Sequence, residues 1–306
     1  MNIINKSIEK IRLRRKNRIK SGNTIFIITG IIIAVQAFTL LFPFVWMVLT
    51  SFKGLLDYSN NFIGLPKKWH FENYTDIFSI LKIQAVKNGV LYEFNVFDML
   101  INSFKIAIFR PFFSMIGMIL CSYVVAKYDF KGKGILLSIN IFVMVIPIVG
   151  SLANTLTIYR QLGIYNNLWA YIILPGGPFG FNFLLMLGVF KGISPAYSEA
   201  ATIDGAGHLT VFLRICLPLA LPTIFTLYIL GFIGAWNDYS SSLIYLPSVP
   251  NLSYGLYLFQ YDASKYGATL PEILAAFVTC SMPSVILFCC SQKVITKSLM
   301  IGGLKG

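Results

Sequence analysis

The sequence predicts an all-α membrane protein with six transmembrane helices. Three observations carry that prediction. Hydrophobic residues make up 56% of the 306-residue chain and the mean hydropathy is +0.72, more apolar side chain than one soluble core of this size hides. Runs of roughly 20 apolar residues recur, the length at which a helix crosses the hydrocarbon layer. Charge is confined largely to the flanks of those runs, with Lys and Arg in the short loops, as membrane topology requires.

The first span covers 24–50 and follows a basic N-terminus, 1–23. There Lys6, Lys10, Arg12, Arg14, Arg15, Lys16, Arg18 and Lys20 are opposed by Glu9 alone. Such a cluster suits nucleic acid or a membrane flank. Its end just ahead of a long apolar segment selects the cytoplasmic flank and no nucleic-acid partner. Segment 24–50 is too long for a signal-peptide core and no small-x-small cleavage site follows it, so it reads as an uncleaved helix in the lipid bilayer. Residues 51–97 form an outer loop, too short for an independent core, expected to cap the bundle or meet an extracellular partner. A membrane core fills 98–293, with spans at 98–126, 135–159, 169–190, 215–233 and 273–292; the fifth runs on to 243 if its helix stays regular. Residues 294–306 are a short tail.

Loop charges agree with that count. With the N-terminus inside, Lys127, Lys131, Lys133, Lys191, Arg214, Lys293, Lys297 and Lys305 all fall inside. The outside then holds Lys53, Lys67, Lys68, Lys82, Lys87, Arg160 and Lys265, most of them in the long first loop, where charge steers topology little. Both termini are therefore expected in the cytoplasm.

Several functions are disfavoured. The five cysteines (Cys121, Cys216, Cys280, Cys289 and Cys290) are odd in number, lie in or beside spans and lack zinc-site spacing; they read as small packing residues. His70 and His208 are isolated, so no metal site is expected. No Gly-x-x-x-x-Gly-Lys-Ser/Thr loop occurs, and no nucleophile–base constellation points to an enzyme. The chain is expected to be non-catalytic and to bind no cofactor.

Between spans four and five lies a second kind of signal. Ser194 suits a helix N-cap and Pro195 the first helical position. Glu199 then falls in the early part of that helix, where negative charge is favoured. Ala200 and Ala201 allow another surface close approach, and Gly205 and Gly207 can turn the chain before a second helix near Leu209. Residues 194–208 thus read as a short cytoplasmic helix and turn that something docks on.

The stretch Glu199-Ala200-Ala201, Asp204-Gly205-Ala206, Phe212 and Ile215-Cys216-Leu217-Pro218 resembles the signature of bacterial ABC-importer permeases. Further likenesses span nearly the whole chain and point to the maltose-type carbohydrate branch. They are Leu65-Pro66 with Phe71-Glu72-Asn73-Tyr74, Ser122-Tyr123 with 126–132, Trp236-Asn237-Asp238-Tyr239, and Gly302-Gly303-Leu304-Lys305-Gly306. The resemblance implies a MetI-like permease bundle that forms half of a pore for a sugar or oligosaccharide. It implies a second homologous permease subunit, two ATP-binding subunits and an extracellular solute-binding protein, with ATP and Mg held on the ATP-binding subunits. By the same resemblance Glu199, Ala200, Ala201, Asp204, Gly205, Ala206, Leu217 and Pro218 couple to the ATPases, with Glu199 meeting a basic residue. Gly302, Gly303 and Lys305 reach them from the tail.

The solute path is read from the residues themselves. Asp238 falls near the end of span five, and a carboxylate at a span centre costs about 2.5–3.5 kcal/mol. It is expected either to face a wet cavity or to end a shortened helix. Trp236 and Tyr239 beside it can stack on a sugar ring, and Asn237 can bind hydroxyls. Pro175-Gly176-Gly177-Pro178 must break span four, and broken backbone is tolerated in a membrane only inside protein or against water. Phe181 and Asn182 are therefore placed on the path. Lys105 and Arg110 are expected to reach the outer interface. The alternative function is a self-sufficient ion-coupled carrier that uses Asp238.

Overall fold

The computed structural model describes the backbone of residues 2–87, 89–145, 151–174, 176–262 and 267–303, and the side chains of 26–86, 89–145, 152–174, 176–261 and 267–296. Its elements are α1 (Asn2–Ser51), α2 (Leu55–Asn60), α3 (Glu72–Ile80), β1 (Ile83–Lys87), β2 (Val90–Phe94), α4 (Val96–Lys127), α5 (Lys133–Val145), α6 (Ser151–Gln161), α7 (Leu168–Ile173), α8 (Phe181–Gly192), α9 (Pro195–Ile203), α10 (His208–Val211), a π-helical turn at Phe212–Cys216, α11 (Leu217–Asn237), α12 (Ser240–Ile244), α13 (Leu252–Asp262) and α14 (Leu270–Gly303).

Helix α4 is the axis. At 1.5 Å per residue its 32 residues run about 48 Å. Asn95 starts it with a capping box: its Oδ1 accepts from the Asp98 amide at 3.1 Å, and Asp98 Oδ2 accepts from the Asn95 amide at 3.2 Å. Helices α7, α8, α11 and α13 pack on α4, and α14 packs on α1, α3 and α11. The core has two main parts. Near the Lys127 end, Met115, Met118, Tyr123, Phe183, Phe190 and Phe212 interlock. Near the Val96 end, Ile77, Leu81, Met99, Trp236, Phe259 and Ala276 do so. Cys216 and Cys280 sit in these cores as packing residues, whereas Cys289 and Cys290 are exposed on α14.

The expectation of six unbroken spans needs correction. Among the described residues four helical stretches are long and apolar enough to cross a membrane: Phe26–Ser51, Val96–Lys127, His208–Asn237 and Leu270–Thr296. The stretch expected at 135–159 is divided between α5 and α6, with 146–150 outside the described residues. The stretch at 169–190 is divided between α7 and α8, as the Pro-Gly-Gly-Pro run predicted. The fifth helix does not run on to 243; it ends at Asn237, where Asp238 turns to an extended conformation.

Segment 51–97 folds onto the Val96 end of the bundle. Its antiparallel hairpin pairs Ile83 with Phe94 and Lys87 with Val90, the one departure from an all-α reading among the described residues. The run Ile83–Phe94 alternates β-forming side chains around an Asn-Gly dipeptide, and Gly89 supplies the positive φ of +79°. The Phe71–Tyr74 motif closes the C-terminus of α1. Asn73 donates its amide to the carbonyls of Ser51 (2.8 Å) and Lys53 (2.9 Å), and Tyr74 Oη lies 2.6 Å from Ser51 Oγ. Lys53, counted from sequence as an outer loop charge, is fully buried, and its ammonium donates to the carbonyls of Asn61 (2.5 Å) and Phe62 (3.3 Å). These contacts satisfy carbonyls that the end of a helix leaves without partners.

Asn73→Ala leaves two carbonyls at the end of α1 without their donor, a loss of about 1–3 kcal/mol. It is expected to lower the thermal unfolding midpoint of the purified protein, while Asn73→Asp is expected to do the same by replacing the donor with an acceptor. A differential scanning fluorescence series checks both.

Candidate coupling surface

Helix α9 sits where the Lys127 end of α4 meets the loops on either side of α9. Ser194 Oγ accepts from the Ala196 amide at 3.4 Å and Pro195 occupies the first turn, which is why the helix begins here. Its C-terminus closes as a Schellman motif: the Ala206 amide donates to the Ala201 carbonyl (2.8 Å) and the Gly205 amide to that of Thr202 (3.0 Å). Gly205 lies at φ +84°, where a side chain is strained. Gly207, by contrast, has an extended backbone with φ −73° that any residue adopts, so one glycine makes this turn, not two.

No residue of α9 is buried within the chain. Ile203 is 86% exposed, Leu209 68% and Tyr197 57%. Glu199, Ala200, Asp204 and Gly205 are exposed, and Ala201 and Ala206 are half-buried against the core beneath. Glu199 forms no ion pair among the described residues. A helix fixed at both ends that presents large apolar side chains around an unpaired carboxylate has the composition of a contact surface.

The mounting is rigid. Lys127 Nζ donates to the Ile193 carbonyl at 2.6 Å, closing the C-terminus of α8 just before α9. Tyr128 Oη lies 3.1 Å from His208 Nδ1. In the adjoining loop, the Lys133 ammonium 2.9 Å from Asp129 holds that carboxyl below the usual carboxylate range. A recess of about 810 Å³ opens beside Glu199, lined also by Lys127, Lys191, Ser198, Thr202 and His208. Beyond α10 the chain makes a π-helical turn in which the Leu217 amide donates to the Phe212 carbonyl. Pro218 lacks the amide that would continue the α-pattern, and such wide turns frequently mark functional segments. Phe212 packs 4.6 Å from Tyr123, which lies 5.5 Å from Phe190. Helix α9 is thereby tied through α8, α4 and α11. Leu217 and Pro218 begin α11 and are half-buried and exposed, respectively.

The expected path residues do not form one site. Trp236 is 2% exposed; its indole Nε1 donates to the Cys280 carbonyl at 3.0 Å, and its rings pack on Phe104 and Phe232. This corrects the expectation that its face is open to a sugar. Asp238 takes the other of its two predicted roles and ends the helix. Its Oδ1 accepts from the Ser241 amide at 3.2 Å, its Oδ2 accepts from Ser241 Oγ, and its carbonyl accepts from Asn251 Nδ2 at 2.7 Å. Asn237 is exposed and donates back to the Ile233 carbonyl. Tyr239 is half open, stacked at 4.6 Å on Tyr257. Phe181 and Asn182 are exposed and line a separate recess of about 180 Å³ beside the Gly176–Gly180 break. Gly302 and Gly303 end α14 with no further description of their surroundings, and Lys305 and Pro175 lie outside the described residues.

Arg110 was missed. It does not reach an interface; it lies mid-way along α4 and donates from Nη1 to the Tyr171 carbonyl, with its guanidinium carbon 3.6 Å from the Tyr171 ring centre. Tyr171 Oη is 2.6 Å from Ser241 Oγ, so one polar chain runs from Arg110 to Asp238. Charged residues are rare in spanning helices, and that rarity was the signal.

Residues 115–300 match the family of binding-protein-dependent transport system inner membrane components. The chain is 28% identical over 291 residues to the sulfoquinovosyl glycerol transport system permease protein SmoH of Agrobacterium fabrum, covering 94% of this chain and 95% of that one. It is 28% identical over 282 residues to the galactooligosaccharides transport system permease protein GanQ of Bacillus subtilis, covering 90% and 94%. Its fold superposes with a TM-score of 0.71, at 21% identity and over 89% of this chain and 97% of the other, on a chain of a bacterial ABC transporter involved in the import of the acidic polysaccharide alginate.

Gly205→Val is expected to open the end of α9. The measurement is hydrogen exchange at the Ala206 amide, which should accelerate while amides in the middle of α4 stay protected; unchanged protection at Ala206 would contradict the Schellman closure.

Proposed function

Because the chain belongs to the family of binding-protein-dependent transport system inner membrane components, we propose that it is one of two similar permease subunits of an ATP-driven ABC importer for a sugar or oligosaccharide, and that α9 seats on an ATP-hydrolysing partner. The observation that carries the docking assignment is α9 itself: capped at both ends, with no residue buried in its own chain, and exposing Tyr197, Glu199 and Ile203. The carbohydrate assignment draws on the relatives' named substrates.

The assembly then contains this chain, a second homologous permease, two ATP-binding subunits and an extracellular solute-binding protein. ATP and Mg belong to the ATP-binding subunits, and this chain is non-catalytic. The free ends of α1 and α14 share the α9 side of the bundle, because the opposite ends of both pack near the 51–97 segment. Putting α9 in the cytoplasm therefore puts both termini there, together with the basic segment 1–23, and turns 51–97 outward toward the binding protein. The tail with Gly302, Gly303 and Lys305 falls within reach of the ATPase side.

When the ATPases close, α9 moves with them. Its ties through Ile193 to α8 and through Phe212 and Tyr123 to α4 and α11 pass that displacement to the long helices, and the π-helical turn provides the flexible step. Nucleotide binding then shifts the population between outward and inward openings by its differential contacts with the two. The ion-coupled carrier reading loses its support, because Asp238 is engaged with Ser241 and Asn251 as a helix-ending group.

Glu199→Lys is expected to reduce co-purification of the ATP-binding subunits at least several-fold while membrane insertion is unchanged; equal recovery removes α9 as the docking element. Ala201→Trp is expected to abolish uptake by steric block, with ATP hydrolysis no longer stimulated by the binding protein. Asp238→Asn keeps a helix-ending acceptor and is expected to retain uptake; loss of an ion-driven flux in that variant, measured in vesicles without ATPases, would restore the carrier.

A further inference from the structure

Three polar features occupy the middle of the molecule where an apolar surface is expected. Arg110 is half-buried on α4; Ser114, one turn along the same face, is exposed; and Asn182 is exposed on α8 across from it. Ser114 and Asn182 share the recess of about 180 Å³ with Gly177, Pro178 and Phe183. The adjoining backbone leaves helical geometry, with Gly176 at φ +108° and Gly180 at +128°. Only one polar side chain is seen to fasten it among the described residues: Asn140 Oδ1 accepts from the Gly180 amide at 2.7 Å. Non-helical backbone beside exposed Ser and Asn does not suit lipid; it suits protein or a water-filled route.

Arg110 lies one turn before Ser114 on α4, beside the recess and not in its lining. A planar guanidinium carries five donors; one is used on the Tyr171 carbonyl, and no carboxylate pairs with it among the described residues. The Asp238 carboxylate, at the far end of the polar chain, is engaged with Ser241. The guanidinium lies against the Tyr171 ring, backed by Tyr245 and Tyr159 at ring separations of 4.9–6.2 Å. It is therefore held in place with donors to spare, as bidentate recognition of a carboxylate requires. A cation kept in a spanning helix without a partner anion is costly and marks a solute route.

Building on the permease reading, we infer that Arg110 is an anion-recognition point on the solute route and that the imported saccharide is acidic, bearing carboxylate groups. Tyr171 positions the guanidinium, and Ser114 and Asn182 offer hydrogen bonds to hydroxyls further along the seam.

The test uses the complete complex of both permeases and ATPases in lipid nanodiscs. Co-purification of the ATPases and basal ATP hydrolysis are measured first, so that failure of the permease reading shows before any sugar is added. The probes are trimers of galacturonate, glucuronate, mannuronate and guluronate, each compared with its uncharged methyl ester by isothermal calorimetry. At least one acid is expected to bind about tenfold or more tighter than its ester. Arg110→Gln is expected to erase that difference, and Arg110→Lys to retain part of it. The proposal is overturned if no acid binds better than its ester, or if Arg110→Gln weakens acid and ester alike.

Discussion

Every backbone amide and carbonyl in a bilayer must find its partner inside the protein, and the shape of this chain follows from how it meets that demand. Four long helices meet most of it by themselves, although each carries an internal proline (Pro43, Pro111, Pro222 and Pro283) that frees one carbonyl. At four places where a helix stops, a side chain takes over: Asn73 at the end of α1, Lys127 at the end of α8, Asn140 at the Gly180 break and Asn251 at the Asp238 corner. These polar groups serve as the joints between apolar rods.

The joints explain motifs that read as functional. Trp236-Asn237-Asp238 closes the end of α11: the tryptophan pins α11 to α14, while the aspartate starts the next short helix. Phe71-Glu72-Asn73-Tyr74 plays the same part at the C-terminus of α1. A motif that recurs in a fold is as readily a device for satisfying backbone as a device for touching solute, and only the partners of each atom separate the two.

The α9 surface differs in kind. Its capping is complete and its mounting is tight, yet its side chains are left uncovered. A nine-residue helix is marginal alone in water, and α9 is held by its two caps and by Ala201 against the core beneath, with Tyr197, Glu199 and Ile203 left exposed. The π-helical turn follows directly, because Pro218 lacks the amide that would have continued the α-pattern.

Much of this was legible in the residues. Hydropathy located four of the six expected spans as long helices, with ends off by up to seven residues. Ser194-Pro195 marked the start of α9, Gly205 its end and Pro175–Pro178 the break, because each depends on the conformational preference of one or two residues. Three things depended on tertiary structure. The alternation over Ile83–Phe94 was hidden in a loop too short to suggest a domain, and it became a hairpin only by packing Ile83 against the bundle. Trp236 faces inward because Cys280, 44 positions away in sequence, offers its carbonyl there. Arg110 stays in the interior because the break in the fourth apolar run brings the ring and carbonyl of Tyr171 against it. Local sequence dictates where helices start, stop and bend, through propensity and hydrogen-bond arithmetic; which face of each meets protein, lipid or solute is set by contacts between residues far apart in the chain.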